Sequence, residues 1–248
     1  MTFRSITSVQ IIVAHGIELG IDENVLLQGS GLTSAQLADH ERLIEDKQEL
    51  QVLNNLMLTT QCPVKVGMEL GCRYHLTSYG IMGYALLASS TARKAIEFGL
   101  RYLDLTYVFS QITLTELNDD LSLRFSCDIA GKLGELVLVR DMLGAAMIQR
   151  EVFERNGLPI KLQFMSPQPV GLCLEDIKQK LGAEIQFNAN YNGFSGLAPL
   201  LDLPLVKANE ATARLCEAQC SQLLQQKQNW KPIAKLVKDT LVHLGLTA

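Results

Sequence analysis

Five of the six tyrosines, Tyr74, Tyr79, Tyr84, Tyr102 and Tyr107, crowd one 34-residue stretch, accompanied by Arg73 and Arg101. A guanidinium offers a two-pronged donor set to a carboxylate, and tyrosine joins an apolar ring to a hydroxyl that can orient a ligand. These types and spacings predict a site for a small carboxylate-bearing molecule (an amino acid, fatty acid or aromatic acid) at Arg73, Tyr79, Arg101, Tyr102 and Tyr107. The competing expectation pairs the arginines with acids such as Glu69 and Asp104 and packs the tyrosines in a core.

Catalytic patterns are scarce. The four histidines (His15, His40, His75, His243) are far apart and fit no zincin spacing. Gly193-Phe194-Ser195-Gly196 resembles a nucleophile elbow, but Leu197 replaces the final glycine and the segment reads as a strand or turn. Cys72 and His75 could share a helix face with Cys62 upstream, yet a zinc site lacks its fourth ligand, so a packed thiol is expected. Gly29-Ser30-Gly31 follows no strand and lacks the third glycine of a dinucleotide fingerprint. The expectation is no catalytic residue, no metal and no cofactor. A hydrolase using Ser195 or Cys72 is the enzyme-class alternative.

Composition bounds the elements that must position these residues. The 248 residues are 48% hydrophobic and 19% charged, with 18 Gly and 7 Pro, which excludes disordered and collagen-like chains. The net charge is −4, and no overall excess of Lys and Arg offers a surface for phosphates. The last 22 residues differ, because Lys227, Lys231, Lys235 and Lys238 outweigh Asp239. Six cysteines in a large chain without a secretory pattern predict free thiols. The longest apolar run, Gly80 to Ala88, is too short to span a bilayer. The expectation is a cytoplasmic, soluble protein with no membrane partner.

Periodicity predicts an α+β fold: a helical N-terminal half, a mostly antiparallel sheet packed with helices, then a C-terminal linker helix. Residues 5–76 read as short helices, one starting at a capping box of Asp46 and Glu49. Ser78 is expected to cap a helix over 79–88, and Ser90 or Thr91 a longer one reaching about Phe109. Alternation over Ile112–Glu116 and Leu121–Cys127, around Asn118-Asp119-Asp120, predicts a hairpin. Helix returns over 132–155 with Gly157 as its C-cap, followed by strands near 160–165, 184–187 and 193–197 and a short helix at 175–181. Ala213, Cys216, Cys220 and Leu223 then step at coiled-coil spacing. That seam predicts a homodimer contact, packing against its own domain being the alternative. A redox role for Cys216 and Cys220 is a further option. Asn229-Trp230-Lys231-Pro232 is expected to break this helix before a last basic one.

Several ordered segments carry a resemblance. They are the run from Gly80 to Thr91 (GIMGYALLASST) with Ala95 and Arg101-Tyr102, and Leu158-Pro159 ahead of a strand ending at Phe164. Ile185 to Ala189 (IQFNA) and Leu201 to Leu205 (LDLPL) follow. Upstream lie Gly20, Leu26-Leu27, Gly31-Leu32 and Val66 to Gly71 (VGMELG). Together they resemble the N-terminal effector-binding domain of AraC/XylS-type transcriptional regulators, the arabinose-binding-like branch that includes ornithine-utilisation regulators. Asn188, where glycine or an acid is usual, and the basic Arg93-Lys94 are mild departures.

The resemblance implies a bacterial regulator's sensing and dimerising part. Residues 1–205 would form the regulatory domain (1–76 its helical subregion), 206–230 a linker and dimerisation helix, and 231–248 the start of a truncated helix-turn-helix domain. Promoter DNA would then be read only by a C-terminal domain outside these residues. A ligand-free dimerisation scaffold is the runner-up reading.

Overall fold

The computed structural model describes residues 3–153 and 160–243, with side chains through Asn229. The expected C-cap Gly157 and the Leu158-Pro159 pair lie outside the described residues.

The chain opens with β1 (Phe3–Ser5), which pairs antiparallel with β2 (Leu43–Glu45). Between them run α1 (Thr7–Glu18), α2 (Glu23–Leu27) and α3 (Ser34–Leu37). Neither of these three-residue strands lies in a longer alternating run, so the sequence does not announce this ribbon. Next come α4 (Asp46–Leu58) and α5 (Pro63–Gly71). The box that opens α4 is Glu45 with Gln48, one residue earlier than predicted, because Glu49 is needed inside the fold.

A 3-10 turn at Leu76–Tyr79 leads to α6 (Ile81–Ala88). Gly80 between them has φ +52°, a left-handed conformation that stops Tyr79 from joining the helix. The following α7 (Ala92–Arg101) begins at Thr91, whose hydroxyl accepts from Lys94 N at 3.3 Å. It ends at Tyr102 rather than near Phe109. A 3-10 turn at Leu103–Leu105 then carries the chain to the sheet.

The hairpin of β3 (Gln111–Leu117) and β4 (Asp120–Ser126) turns at Asn118-Asp119, with Asn118 at φ +55°. Helix α8 (Gly131–Phe153) follows, then β5 (Lys161–Gln163), α9 (Leu174–Leu181), β6 (Glu184–Gln186) and β7 (Gly193–Leu197). The sheet order is β3-β4-β7-β5-β6, antiparallel except for the parallel β5–β6 pair.

Helix α8 is apolar on most of its circumference because it divides the protein. Leu136 and Val137 face the N-terminal core of Ile6, Ile12, Leu53 and Leu56. Val139, Leu143 and Ala146 face the sheet core of Leu162, Phe164 and Phe194. Helix α5 lies close along α8 through Gly67 and Gly71. A Cβ at Gly67 would sit 2.7 Å from Leu136 O, and one at Gly71 2.6 Å from Arg140 O.

The last element, α10 (Glu210–His243), is continuous through Asn229–Pro232, against the predicted break. A proline inside a helix removes one backbone hydrogen bond, and such a helix can kink without ending. Helix α10 packs along α6.

Candidate functional site

A cavity of about 170 Å³ lies between the helices and the sheet. Helix α6 supplies Met82 and Leu86, and α7 supplies Ala95, Ile96, Gly99 and Leu100. The sheet side is Ile112, Leu121, Leu123, Phe125 and Phe194, and α8 closes the site with Ala145, Ile148 and Val152. Amphipathic spacing builds this wall. The steps of four and three that place Ile96, Leu100 and Leu103 on one stripe of the sequence line the cavity with them.

Polar groups at the wall are few. Tyr79, Thr106, Gln149 and Ser195 contribute them, and no charged side chain lines the cavity among the described residues. Thr106 Oγ1 is committed, donating to Leu103 O at 2.6 Å and accepting from Val108 N. Ser195 Oγ accepts from Gln163 Nε2 at 2.8 Å. It sits inside strand β7, so no nucleophile elbow forms. Burial raises the Tyr79 hydroxyl well above the usual phenol range, so it stays protonated.

The far side of α6 and α7 carries α10. Cys216 and Cys220 are buried with Met82, Ala85, Leu86 and Phe98. The Tyr102 hydroxyl and Ser221 Oγ are 2.6 Å apart, and Arg101 Nη1 donates to Glu217 Oε1 at 2.6 Å. Met82 and Leu86 therefore touch both the cavity and the packing beneath α10. The seam expected to meet a second copy faces its own domain through both cysteines, because the apolar faces of α6 and α7 would otherwise be bare. Ala213 is half-buried, while Leu223 stays 45% exposed and Leu215 62% exposed. Burial pushes the Cys220 thiol up to about 11, which disfavours the thiolate that redox exchange requires.

Tyr79 also faces a second buried region of opposite chemistry. Its ring lies 6.5 Å from that of Tyr74 and 5.4 Å from that of Tyr107, centroid to centroid. Beside them, Arg140 Nη1 donates to Glu49 Oε1 at 2.9 Å and to the Tyr74 hydroxyl at 3.2 Å, and Nη2 to Tyr107 O at 3.0 Å. Asp141 Oδ1 lies 2.8 Å from Arg140 Nη2. Its Oδ2 accepts from Phe109 N, Ser110 N and Ser110 Oγ at 2.8–3.0 Å. Ser8 donates to Glu49 at 2.6 Å, and Arg4 reaches both Glu49 and Asp46. Arg140, Asp141 and Glu49 are 2%, 3% and 0% exposed. Burial opposes the Arg140 charge, but Asp141, Tyr74 and Glu49 outweigh it and hold the guanidinium charged. Sequence reasoning missed this network. Arg140-Asp141 inside an apolar helical run was the available signal.

The predicted carboxylate residues do not assemble into one site. Tyr79 and Tyr107 meet, with Tyr107 donating to Ser78 O at 2.8 Å. Tyr102 and Arg101 face α10. Arg73 lines a separate polar cleft with His15, Glu69, Cys72 and Lys180, where both its terminal nitrogens bind Glu18. Each arginine thus has an acid partner, Glu18 or Glu217, from an element distant in sequence. Local spacing could not reveal either.

Cys72 is also packed, and burial raises its thiol to about 11. His75 pairs instead with Glu151. Among the described residues no group of three or more His, Cys, Asp or Glu is placed to hold a metal ion. No described helix is long and apolar enough to cross a membrane.

The described residues thus form an α+β body whose apolar cavity is backed, across α6 and α7, by the long helix α10. Comparison with known proteins gives its family. Residues 20–205 match the arabinose-binding domain of AraC transcription regulators, N-terminal, and the chain belongs to that family. It is 23% identical over 231 residues, 90% of its length, to an uncharacterized HTH-type transcriptional regulator of Mycobacterium tuberculosis, Rv1395. It is 30% identical over 175 residues, 64% of its length, to the ornithine utilization regulator of Pseudomonas aeruginosa. It spans 66% of the former protein and 47% of the latter. The crystal structure of the transcriptional regulator CdpR from Pseudomonas aeruginosa shares the fold, with TM-score 0.60 and 16% identity over 85% of this chain and 61% of that one.

Proposed function

We propose that this domain senses a small molecule in the cavity beneath α6 and α7 and passes the binding event to α10. The observation that carries this reading is the shared wall. Met82 and Leu86 border the cavity and also pack with Cys216 and Cys220 of α10. A ligand that shifts α6 or α7 changes the seat of α10, because close-packed interfaces switch between arrangements rather than deform smoothly. Promoter DNA would be contacted by a domain following α10, as the family suggests. Any self-association through α10 would use Leu215 and Leu223, since the cysteines of that seam face inward.

A metabolite library screened by thermal shift against wild type and Ala145→Leu, whose longer side chain would fill the cavity, tests the sensing reading. A hit should stabilise wild type and lose its effect in the variant. It should also slow amide exchange over residues 81–101 and 210–225 together. Protection of 81–101 with 210–225 unchanged would remove the coupling from the proposal.

A further inference from the structure

The family takes its description from a sugar, and the tyrosine–arginine cluster suggests an acid, yet the cavity walls suit neither. We infer that the cavity selects a compact, uncharged, largely apolar molecule with one hydrogen-bonding group, such as an alkylphenol. This rests on the sensing reading above and specifies its ligand class.

Size sets the first bound. A dry apolar cavity of about 150 Å³ holds benzene, and this one measures about 170 Å³. One substituted aromatic ring fits. Charge sets the second bound. With no charged side chain at the wall among the described residues, a carboxylate would lose its hydration without a partner. The two arginines once expected to meet it are held by Glu18 and Glu217.

Hydrogen-bonding capacity sets the third. A pentose brings several hydroxyls, each of which weakens binding when buried unpaired. The described wall offers few groups against that number, because Thr106 already donates and accepts within its own turn, Ser195 accepts from Gln163 and has one O–H to give, and Gln149 makes an interaction of its own. Tyr79 adds one more group. Its hydroxyl lies beside Gly144 of α8, between the cavity that the side chain borders and the charged cluster, and makes no hydrogen bond among the described residues. A ligand hydroxyl that reaches this end of the cavity would find a partner there.

The test compares p-cresol, benzoate and L-arabinose, which are similar in size, by titration calorimetry and calorimetric melting at pH 7. Wild type should bind p-cresol with a melting shift of about 3 °C at tenfold excess over Kd, and respond to neither benzoate nor arabinose. Ala145→Leu and Gly99→Leu, which fill the space from α8 and from α7, should each abolish the p-cresol response. The second covers a failure of the first to fold, since a Cβ at Gly99 makes only an ordinary 3.7 Å contact with Leu86. Tyr79→Phe should weaken p-cresol binding several-fold and leave toluene binding unchanged.

Benzoate or arabinose binding that the filling variants abolish would overturn the ligand class while leaving the sensing site standing. Retention of the p-cresol response in both folded filling variants would overturn the site itself. No response to p-cresol or toluene in wild type would overturn the class.

Discussion

The protein buries two unlike regions on either side of Tyr79. One is the apolar cavity, and the other is the charged cluster of Arg140, Asp141 and Glu49. In the cluster nearly every donor and acceptor is matched, and only Arg140 Nε among the charged atoms of these three residues is left without a partner. Partners converge there from α1, α4, the segment before β3 and α8, so the cluster ties the helical region to the sheet region. A satisfied polar network of this kind favours one arrangement, because each alternative strands a charge. The cavity makes no such demand. Its wall loses only dispersion contacts where it is unfilled, and those can be restored by a guest. A well-satisfied joint beside an adaptable space fits the sensing role proposed above.

The sharpest way to break the comparison is to strip the cluster. Arg140→Met leaves Asp141 buried without a cation and Glu49 with Arg4 alone, and should cost about 3–5 kcal/mol in a denaturant melt. Loss of less than about 1 kcal/mol would mean that the cluster is not the joint described. Next in size is the close contact of α5 with α8. Gly71→Ala would press a methyl to 2.5 Å from Leu143 Cβ, and should cost about 1–3 kcal/mol by the same measurement.

A pH scan probes a third buried group. Burial, and then Arg73, lower His15 from 6.5 to about 4, so it folds neutral while the unfolded chain binds its proton more readily. Its contribution is present above pH 6.5 and is lost as pH falls toward about 4. His15→Phe should flatten stability across that window, and an unchanged slope would assign the pH dependence elsewhere. Smaller still is Tyr102→Phe, which removes the hydroxyl contact with Ser221 and should cost about 0.5–1.5 kcal/mol. If α10 reads the cavity through this face, the variant should also speed amide exchange over 210–225. The smallest expected effect is Arg73→Ala. Its partner Glu18 is solvent-exposed and it does not border the cavity, so ligand responses should match wild type.

Much of the fold was legible in short stretches. Alternation placed the β3–β4 hairpin, the hydroxyl of Thr91 marked the start of α7, and β7 lies at 193–197 as its sequence suggested. The apolar stripe of Ile96, Leu100 and Leu103 was visible, although not what it faces. The β1–β2 ribbon and the uninterrupted course of α10 were not legible. Both depend on neighbours: β1 exists by pairing with β2, and Pro232 alone does not end a helix.

By itself the sequence determined element types and family membership, because caps, periods and ordered motifs act within a few residues of one another. Only the tertiary structure decided which charges meet. Arg140 lies 91 residues from Glu49, and Arg101 lies 116 residues from Glu217. It also decided that Cys216 and Cys220 turn inward, and that Arg73 and Arg101 lie apart from a cavity lined, among the described residues, by no charged side chain. Such pairings follow from packing and desolvation summed over the whole chain, where each buried charge must find a partner and each apolar face a cover.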